Sequence, residues 1–125
     1  MSKLLDVLLR ADLPNVAKNL PEARCKVKRL SQLAGEDVTF TLRALPYGRV
    51  QEIKSLQEDA PLAILLSGLV DPDPKAAELK ERYGGATPGE TLKSILLPGE
   101  IEDLSREVER LSGYRTDTIE RLKNG

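Results

Sequence analysis

The segment Leu96-Leu97-Pro98-Gly99-Glu100-Ile101, continuing to Leu111-Ser112-Gly113-Tyr114, decides the fold of the C-terminal half. Pro98 suits the first helical position, where its missing N–H would be unpaired anyway, and Gly113 suits the left-handed residue that ends a helix. These signals predict a helix from Gly99 to Ser112. Its apolar residues recur at helical spacing and should form one buried face: Ile101, Leu104, Val108 and Leu111.

Two stretches in the N-terminal half alternate apolar and polar residues with the period of a β-strand. The first runs from Ala23 to Lys28 and the second from Val38 to Leu45. We expect them to pair in antiparallel fashion, with Leu30 to Asp37 as a long connection that turns at Gly35. A two-stranded sheet is marginal in water, so helices must cover one of its faces.

Further segments have helical spacing and end signals. The Leu62 to Val70 helix is apolar nearly all round, so it is either the buried centre of the domain or a surface for a partner. We expect the leucine face of the first helix to pack on the core. The predicted helices besides that of the opening segment are Lys3 to Ala11, Tyr47 to Asp59, Leu62 to Val70, Pro74 to Tyr83, Pro88 to Leu96 and Thr118 to Lys123.

Length and pattern together predict a single domain over residues 1–125, because 125 residues suit one core. The predicted class is α+β, mostly α-helical with a small N-terminal antiparallel β-sheet. Apolar residues make up 40% of the chain but aromatic residues only 3%, so the core must be aliphatic.

The charge balance argues against a nucleic-acid partner, since 19 basic and 20 acidic residues leave a net charge of -1. The opening leucines are interrupted by Asp6 and followed by Arg10, which makes the run too short and too charged for a secretory core or a membrane span. We therefore expect a soluble cytoplasmic protein without a membrane partner. Four clustered basic residues are interpreted as a solvated strand face: Arg24, Lys26, Lys28 and Arg29.

The usual components of a catalytic or metal site are missing. The chain has no His, and Cys25 is its single cysteine, which we interpret as an inert core thiol. Carboxylates such as Asp73 and Glu100 stand at helix starts, where the helix dipole accounts for them. The glycine-rich segment 84–89 lacks the Lys-Ser/Thr ending of a phosphate loop. We predict no catalytic, cofactor or metal residues and no cofactor; an enzyme is a distant alternative.

Binding is then the expected class of function, and three apolar surfaces could serve it. The stripe from Ile101 to Leu111 is expected to be core. The other two lie on the first helix and on the Leu62 to Val70 helix. Their predicted partner-binding residues are Leu4, Leu5, Leu8, Leu9, Leu62, Leu65, Leu66 and Leu69.

A family resemblance runs through most of the chain. Its pieces are Leu65-Leu66-Ser67-Gly68-Leu69, Asp71-Pro72, Arg82-Tyr83-Gly84, Ala86-Thr87-Pro88 and the two ends of the opening segment. In their order and spacing the chain resembles the XkdN-like tail assembly chaperones of phages and prophages.

The resemblance implies a non-enzymatic tail assembly chaperone in the bacterial host cytoplasm. Its implied partners are the tape measure protein, which it would keep soluble, and the tail tube protein, whose subunits polymerise around the tape measure. The alternative is a structural component retained in the finished tail or baseplate. The sequence leaves the oligomeric state open.

Overall fold

The computed structural model describes residues 3–123, which form seven helices and one three-stranded antiparallel sheet. The strands are β1 (Glu22–Lys26), β2 (Thr39–Arg43) and β3 (Leu69–Asp71). The helices are α1 (Lys3–Leu8), α2 (Lys28–Ala34), α3 (Arg49–Leu56), α4 (Ala60–Gly68), α5 (Ala77–Tyr83), α6 (Pro88–Ile95) and α7 (Pro98–Leu111). The predicted α+β class is confirmed.

The sheet has the order β1-β2-β3, and the predicted antiparallel pairing of the first two strands is confirmed. Cys25 lies opposite Phe40, and Leu42 on the same strand is fully buried. The third strand was not predicted, because two of its three residues, Leu69 and Val70, belong to the apolar run that we interpreted as helix. Leu69 pairs with Leu42 and extends the apolar face of the sheet across β2.

Helix α7 follows its end signals closely. Pro98 occupies the first turn and Gly113 has a φ of +92°, so both boundaries agree with the prediction. Ile101, Leu104 and Val108 are buried, and Leu111 packs against the same core while remaining half-buried. The predicted core face of this helix is therefore confirmed.

Helix α4 occupies the centre of the domain, where it packs against α3, α6, α7 and β2. Ile64, Leu65 and Gly68 are buried, and Leu62 and Leu66 are half-buried. Of the two interpretations of this apolar helix, the buried centre applies to its inner side. Its outer side retains exposed apolar surface.

Two segments differ from the prediction. The connection between β1 and β2 contains helix α2, which Gly35 ends with a φ of +74°. Ser31 Oγ accepts a hydrogen bond from the Val38 backbone N–H at 2.8 Å and so ties α2 to the chain before β2. The predicted helix from Thr118 to Lys123 is absent, since an isolated pair of turns without core contacts gains too little to form.

Arg29 joins α2 to the start of α7. Its Nη2 and Nε atoms donate to the two carboxylate oxygens of Glu100 at 2.9 and 3.0 Å, and Nη2 also donates to the Ile95 carbonyl oxygen. Glu100 in turn accepts the Leu97 backbone N–H at 2.7 Å. Arg29 is therefore part of a helix-capping ion pair, and its assignment to a solvated strand face was wrong.

The ion pair makes a pH-dependent contribution to stability. The hydrogen bond from Arg29 holds the pKa of Glu100 below its ordinary value, against the opposing effect of burial. The ion pair therefore contributes its full stabilisation above about pH 4.3, the ordinary pKa of glutamate in an unfolded chain. This stabilisation is lost as the pH falls through the lowered pKa that Glu100 has in the folded protein. We expect Glu100→Gln to reduce the acid-induced loss of stability, measured by urea unfolding between neutral pH and about pH 3.

The exposed pair of Arg106 and Asp103, 3.2 Å apart, supplies the control. Asp103→Asn should leave the pH dependence of unfolding nearly unchanged, because exposed pairs contribute little. Equal pH dependence in the wild type and the Glu100→Gln variant would contradict the role assigned to Glu100.

Candidate functional site

An open apolar groove of about 570 Å³ lies on the outer side of α4. The end of α3, the outer side of α4 and the start of α6 form its walls, together with the connection that follows β3. The apolar lining residues are Leu56, Leu62, Ala63, Leu66, Pro74, Pro88 and Gly89. The groove is therefore the part of the α4 surface that the core leaves uncovered.

Two helix caps lie at the edges of the groove. Asp59 Oδ1 accepts the Leu62 backbone N–H at 3.3 Å and caps α4. Thr87 Oγ1 accepts the Glu90 backbone N–H at 3.2 Å and caps α6. The Glu90 carboxylate in turn accepts a hydrogen bond from the Ala86 backbone N–H at 2.7 Å.

The floor of the groove depends on a close approach of α6 to α4. A Cβ atom at Gly89 would lie 3.0 Å from Leu62 Cδ2 and 3.5 Å from Leu66 Cδ1. Gly89 is buried, so a side chain at this position would press against the two leucines. The two leucines are thereby held with part of their surface facing the groove.

The rim of the groove carries charges of both signs. Asp59 forms an exposed ion pair of 3.6 Å with Lys93 of α6. Glu58 and Lys75 also line the groove, and neither has an ion pair within residues 3–123. The rim therefore offers one acid and one base to a ligand, outside an apolar floor.

A second apolar surface lies on residues 3–19, which we term the N-terminal arm. Every residue of the arm is exposed, and helix α1 has no buried residue. Leu4, Leu8 and Leu9 are 65%, 60% and 71% exposed. The expectation that the α1 leucines pack on the core was wrong, because the core is already closed by α4, α7 and the sheet.

The arm is nevertheless ordered by its own local hydrogen bonds. The Leu9 backbone N–H donates to the Leu5 carbonyl at 3.1 Å, and the Leu13 backbone N–H donates to the Arg10 carbonyl at 3.2 Å. Arg10 pairs with Asp12, and Asn15 caps the next turn through its side chain. The arm is thus a series of turns that presents apolar side chains to solvent.

The predicted partner-binding residues divide into three groups. Leu4, Leu5, Leu8 and Leu9 lie exposed on the arm, and Leu62 and Leu66 line the groove. Leu65 is fully buried and Leu69 is 9% exposed, so both serve the core in this conformation. Leu56, which is not among the predicted residues, also lines the groove at 73% exposure.

The remaining features concern metal sites, membrane spans and the thiol of Cys25. Within residues 3–123, no group of three or more His, Cys, Asp or Glu side chains is placed to hold a metal ion, and none of the helices is long and apolar enough to cross a membrane. Cys25 is half-buried beside the core, and burial, with a smaller effect of the Glu107 charge, raises the pKa of its thiol.

The described residues form a small α+β fold with an open apolar groove on the outer side of α4. A family model described as phage XkdN-like tail assembly chaperone protein, TAC, matches residues 57–123, which is more than half of the chain. The chain belongs to this family, as its resemblance predicted. The matched region contains α4 to α7 and therefore most of the groove.

A crystal structure of the protein YqbN has a similar fold, with a TM-score of 0.60 and 25% sequence identity. The alignment covers 76% of this chain and 87% of that one. Comparison with curated proteins gives no match.

Proposed function

We propose that this tail assembly chaperone is non-enzymatic and binds the tape measure protein through the groove, keeping that long helical protein soluble while tail tube subunits polymerise around it. The observation that supports the proposal is the position of Leu56, Leu62 and Leu66 along one open apolar surface. The proposed place of action is the cytoplasm of the bacterial host, where the partners are made.

The chemistry of the groove suits an amphipathic helix. Such a helix presents apolar side chains at intervals of three or four residues, and these can enter a groove lined by leucines. Glu58 and Lys75 on the rim can pair with the polar flank of the same helix.

Binding by this groove should be reversible. Burying one leucine-sized side chain contributes about 1.5–3 kcal/mol, and immobilising the partners opposes this gain. Two or three such anchors contribute about 3–9 kcal/mol before that opposing cost, so the dissociation constant should be weaker than about micromolar. A complex of this strength would protect the tape measure from aggregation and still release it to tube subunits that cover more surface.

Co-expression with the tape measure protein of the same genome tests the proposal. We expect the tape measure to be insoluble alone and to co-purify with the tagged chain. Leu56→Asp should lower the recovered complex about tenfold, since a charge replaces an anchor worth at least 1.4 kcal/mol. Leu56 is exposed, so the fold should tolerate the substitution.

Leu33→Asp is the matched control, because Leu33 is 75% exposed on α2 and does not line the groove. This variant should recover as much complex as the wild type. An equal loss of recovered complex with Leu56→Asp and Leu33→Asp, or no loss with either variant, would contradict binding through the groove. Presence of the chain in purified phage particles at stoichiometric levels would instead favour a retained tail or baseplate component.

A further inference from the structure

A buried carboxylate joins three parts of the domain at the end of α7. Glu109 is 4% exposed, and its two carboxylate oxygens have different partners. Lys54 Nζ of α3 lies 2.6 Å from Oε1, and Arg115 Nε donates to Oε2 at 3.2 Å. A buried charge needs a counter-ion, and two cations from different parts of the chain supply it here.

The two cations differ in how firmly the chain holds them. Lys54 lies in α3 beside Ile53, which is 2% exposed, and α3 packs against α4. Arg115 follows α7, is exposed, and has a φ of +58°, a conformation that residues other than glycine rarely adopt. Within residues 3–123, its bond to Glu109 is the one hydrogen bond that Arg115 makes.

The chain beyond Arg115 adds nothing to this attachment. Residues 116–123, which we term the C-terminal segment, are all exposed, and among the described residues they make no hydrogen bond or ion pair. Tyr114, by contrast, packs against the core, and its backbone N–H donates to the Glu109 carbonyl at 2.9 Å. Arg115 is therefore the last residue that a hydrogen bond or ion pair ties to the domain.

We propose that Arg115 is a releasable clasp for the C-terminal segment. When its side chain leaves Glu109, Lys54 remains as the counter-ion, and the contact between α3 and α7 persists. The backbone of Arg115 is then free to leave the left-handed region. The segment can move away from the domain as far as Tyr114 while both helices stay folded.

Room for water beside the carboxylate lowers the cost of release. A cavity of about 130 Å³ between the start of α4 and α7 is lined by Lys54, Glu109 and Arg115. It has space for several water molecules, which can hydrate the oxygen that Arg115 gives up. Glu102 and Arg106 line the same cavity with opposite charges, so they provide polar partners for this water without adding net charge.

The clasp makes the C-terminal segment independent of the groove. Leu56 of the groove lies one helical half-turn after Lys54, and the retained contact of Lys54 with Glu109 keeps this end of α3 in place. Ile119 and Leu122 on the segment are 91% and 70% exposed. The inference does not rest on the proposed function of the groove, because release can be measured on the chain alone.

Backbone amide relaxation of the full chain, measured by nuclear magnetic resonance, tests the clasp. We expect a wild-type order parameter of about 0.85 at Arg115 and values below about 0.6 over residues 118–122. Arg115→Met should lower the value at position 115 below about 0.6 and leave α3 unchanged. Arg121→Met is the matched control and should change neither, because Arg121 is exposed and has no ion pair among the described residues.

Urea unfolding of Lys54→Met, Arg115→Met and the double variant tests whether the two cations replace each other. Each single variant keeps one counter-ion on Glu109, whereas the double variant leaves a buried carboxylate with none. We expect the double variant to raise the unfolding equilibrium constant at least about fivefold more than the product of the two single effects.

Three results would overturn the proposal. The first is a double variant whose effect equals the product of the single effects. The second is an Arg115 that is as mobile in the wild type as residues 118–122. The third is a loss of order in α3 when Arg115 is replaced, since Arg115 would then brace that helix rather than fasten the segment.

Discussion

Replacing Leu104 and Val108 together by Asp should unfold the protein completely. Val108 is fully buried and Leu104 is 6% exposed, and both lie on the α7 face that meets α4 and the sheet. Loss of each apolar side chain costs about 2–5 kcal/mol, and each buried carboxyl adds several more, either as an uncompensated charge or by being held protonated. The sum reaches or exceeds the 5–15 kcal/mol that stabilises a typical domain.

Far-ultraviolet circular dichroism of the purified double variant checks this result. We expect the helical signal to be lost at 25 °C, whereas Leu33→Asp, with its exposed leucine, should keep the wild-type spectrum. A double variant with the wild-type spectrum would mean that the Ile101 to Leu111 stripe is exposed and is a partner surface.

Gly68→Ala should destabilise the protein strongly although it adds only one methyl group. A Cβ atom at Gly68 would lie 2.8 Å from both γ-carbons of Val108 and 2.9 Å from the Arg43 carbonyl oxygen. The carbonyl belongs to β2 and cannot move without disturbing the sheet. We expect a loss of about 3 kcal/mol and a decrease of roughly 10 °C in Tm.

Thermal unfolding of Gly68→Ala beside Gly99→Ala measures this effect against a matched control. Gly99 lies in the first turn of α7 and has no neighbouring atom within 4 Å of an added Cβ. Alanine should therefore change stability there by less than about 1 kcal/mol, with a gain favoured by its higher helix propensity. Equal Tm values for the two variants would show that α4 and α7 are packed less closely than this structure has them.

Helix α7 could be predicted almost to the residue because its signals are local. Proline, glycine and apolar spacing act within one or two turns, and they agree with the tertiary structure at Pro98 and Gly113. Helix α2 and strand β3 could not be predicted in this way. Both depend on distant partners: Ser31 bonds to Val38, Arg29 to Glu100, and Leu69 pairs with Leu42.

The candidate site was only partly predictable for a related reason. An apolar run identifies α4, but sequence spacing cannot say which side of a helix a neighbouring element covers. The close approach of Gly89 on α6 to Leu62 and Leu66 covers part of α4 and is not visible in the sequence pattern. The N-terminal arm was also not predictable from spacing. Its leucines have the spacing of a core helix, but they lie outside the core, which the other elements form without them.

The most direct test of tape measure binding through the groove is hydrogen–deuterium exchange of the chaperone alone and in its co-purified complex. We expect slower exchange in the complex for the backbone amides of residues 56–66 and 86–91, with no change in α2. Unchanged exchange in both groove segments, with protection appearing elsewhere on the domain, would contradict the account and place the tape measure on another surface.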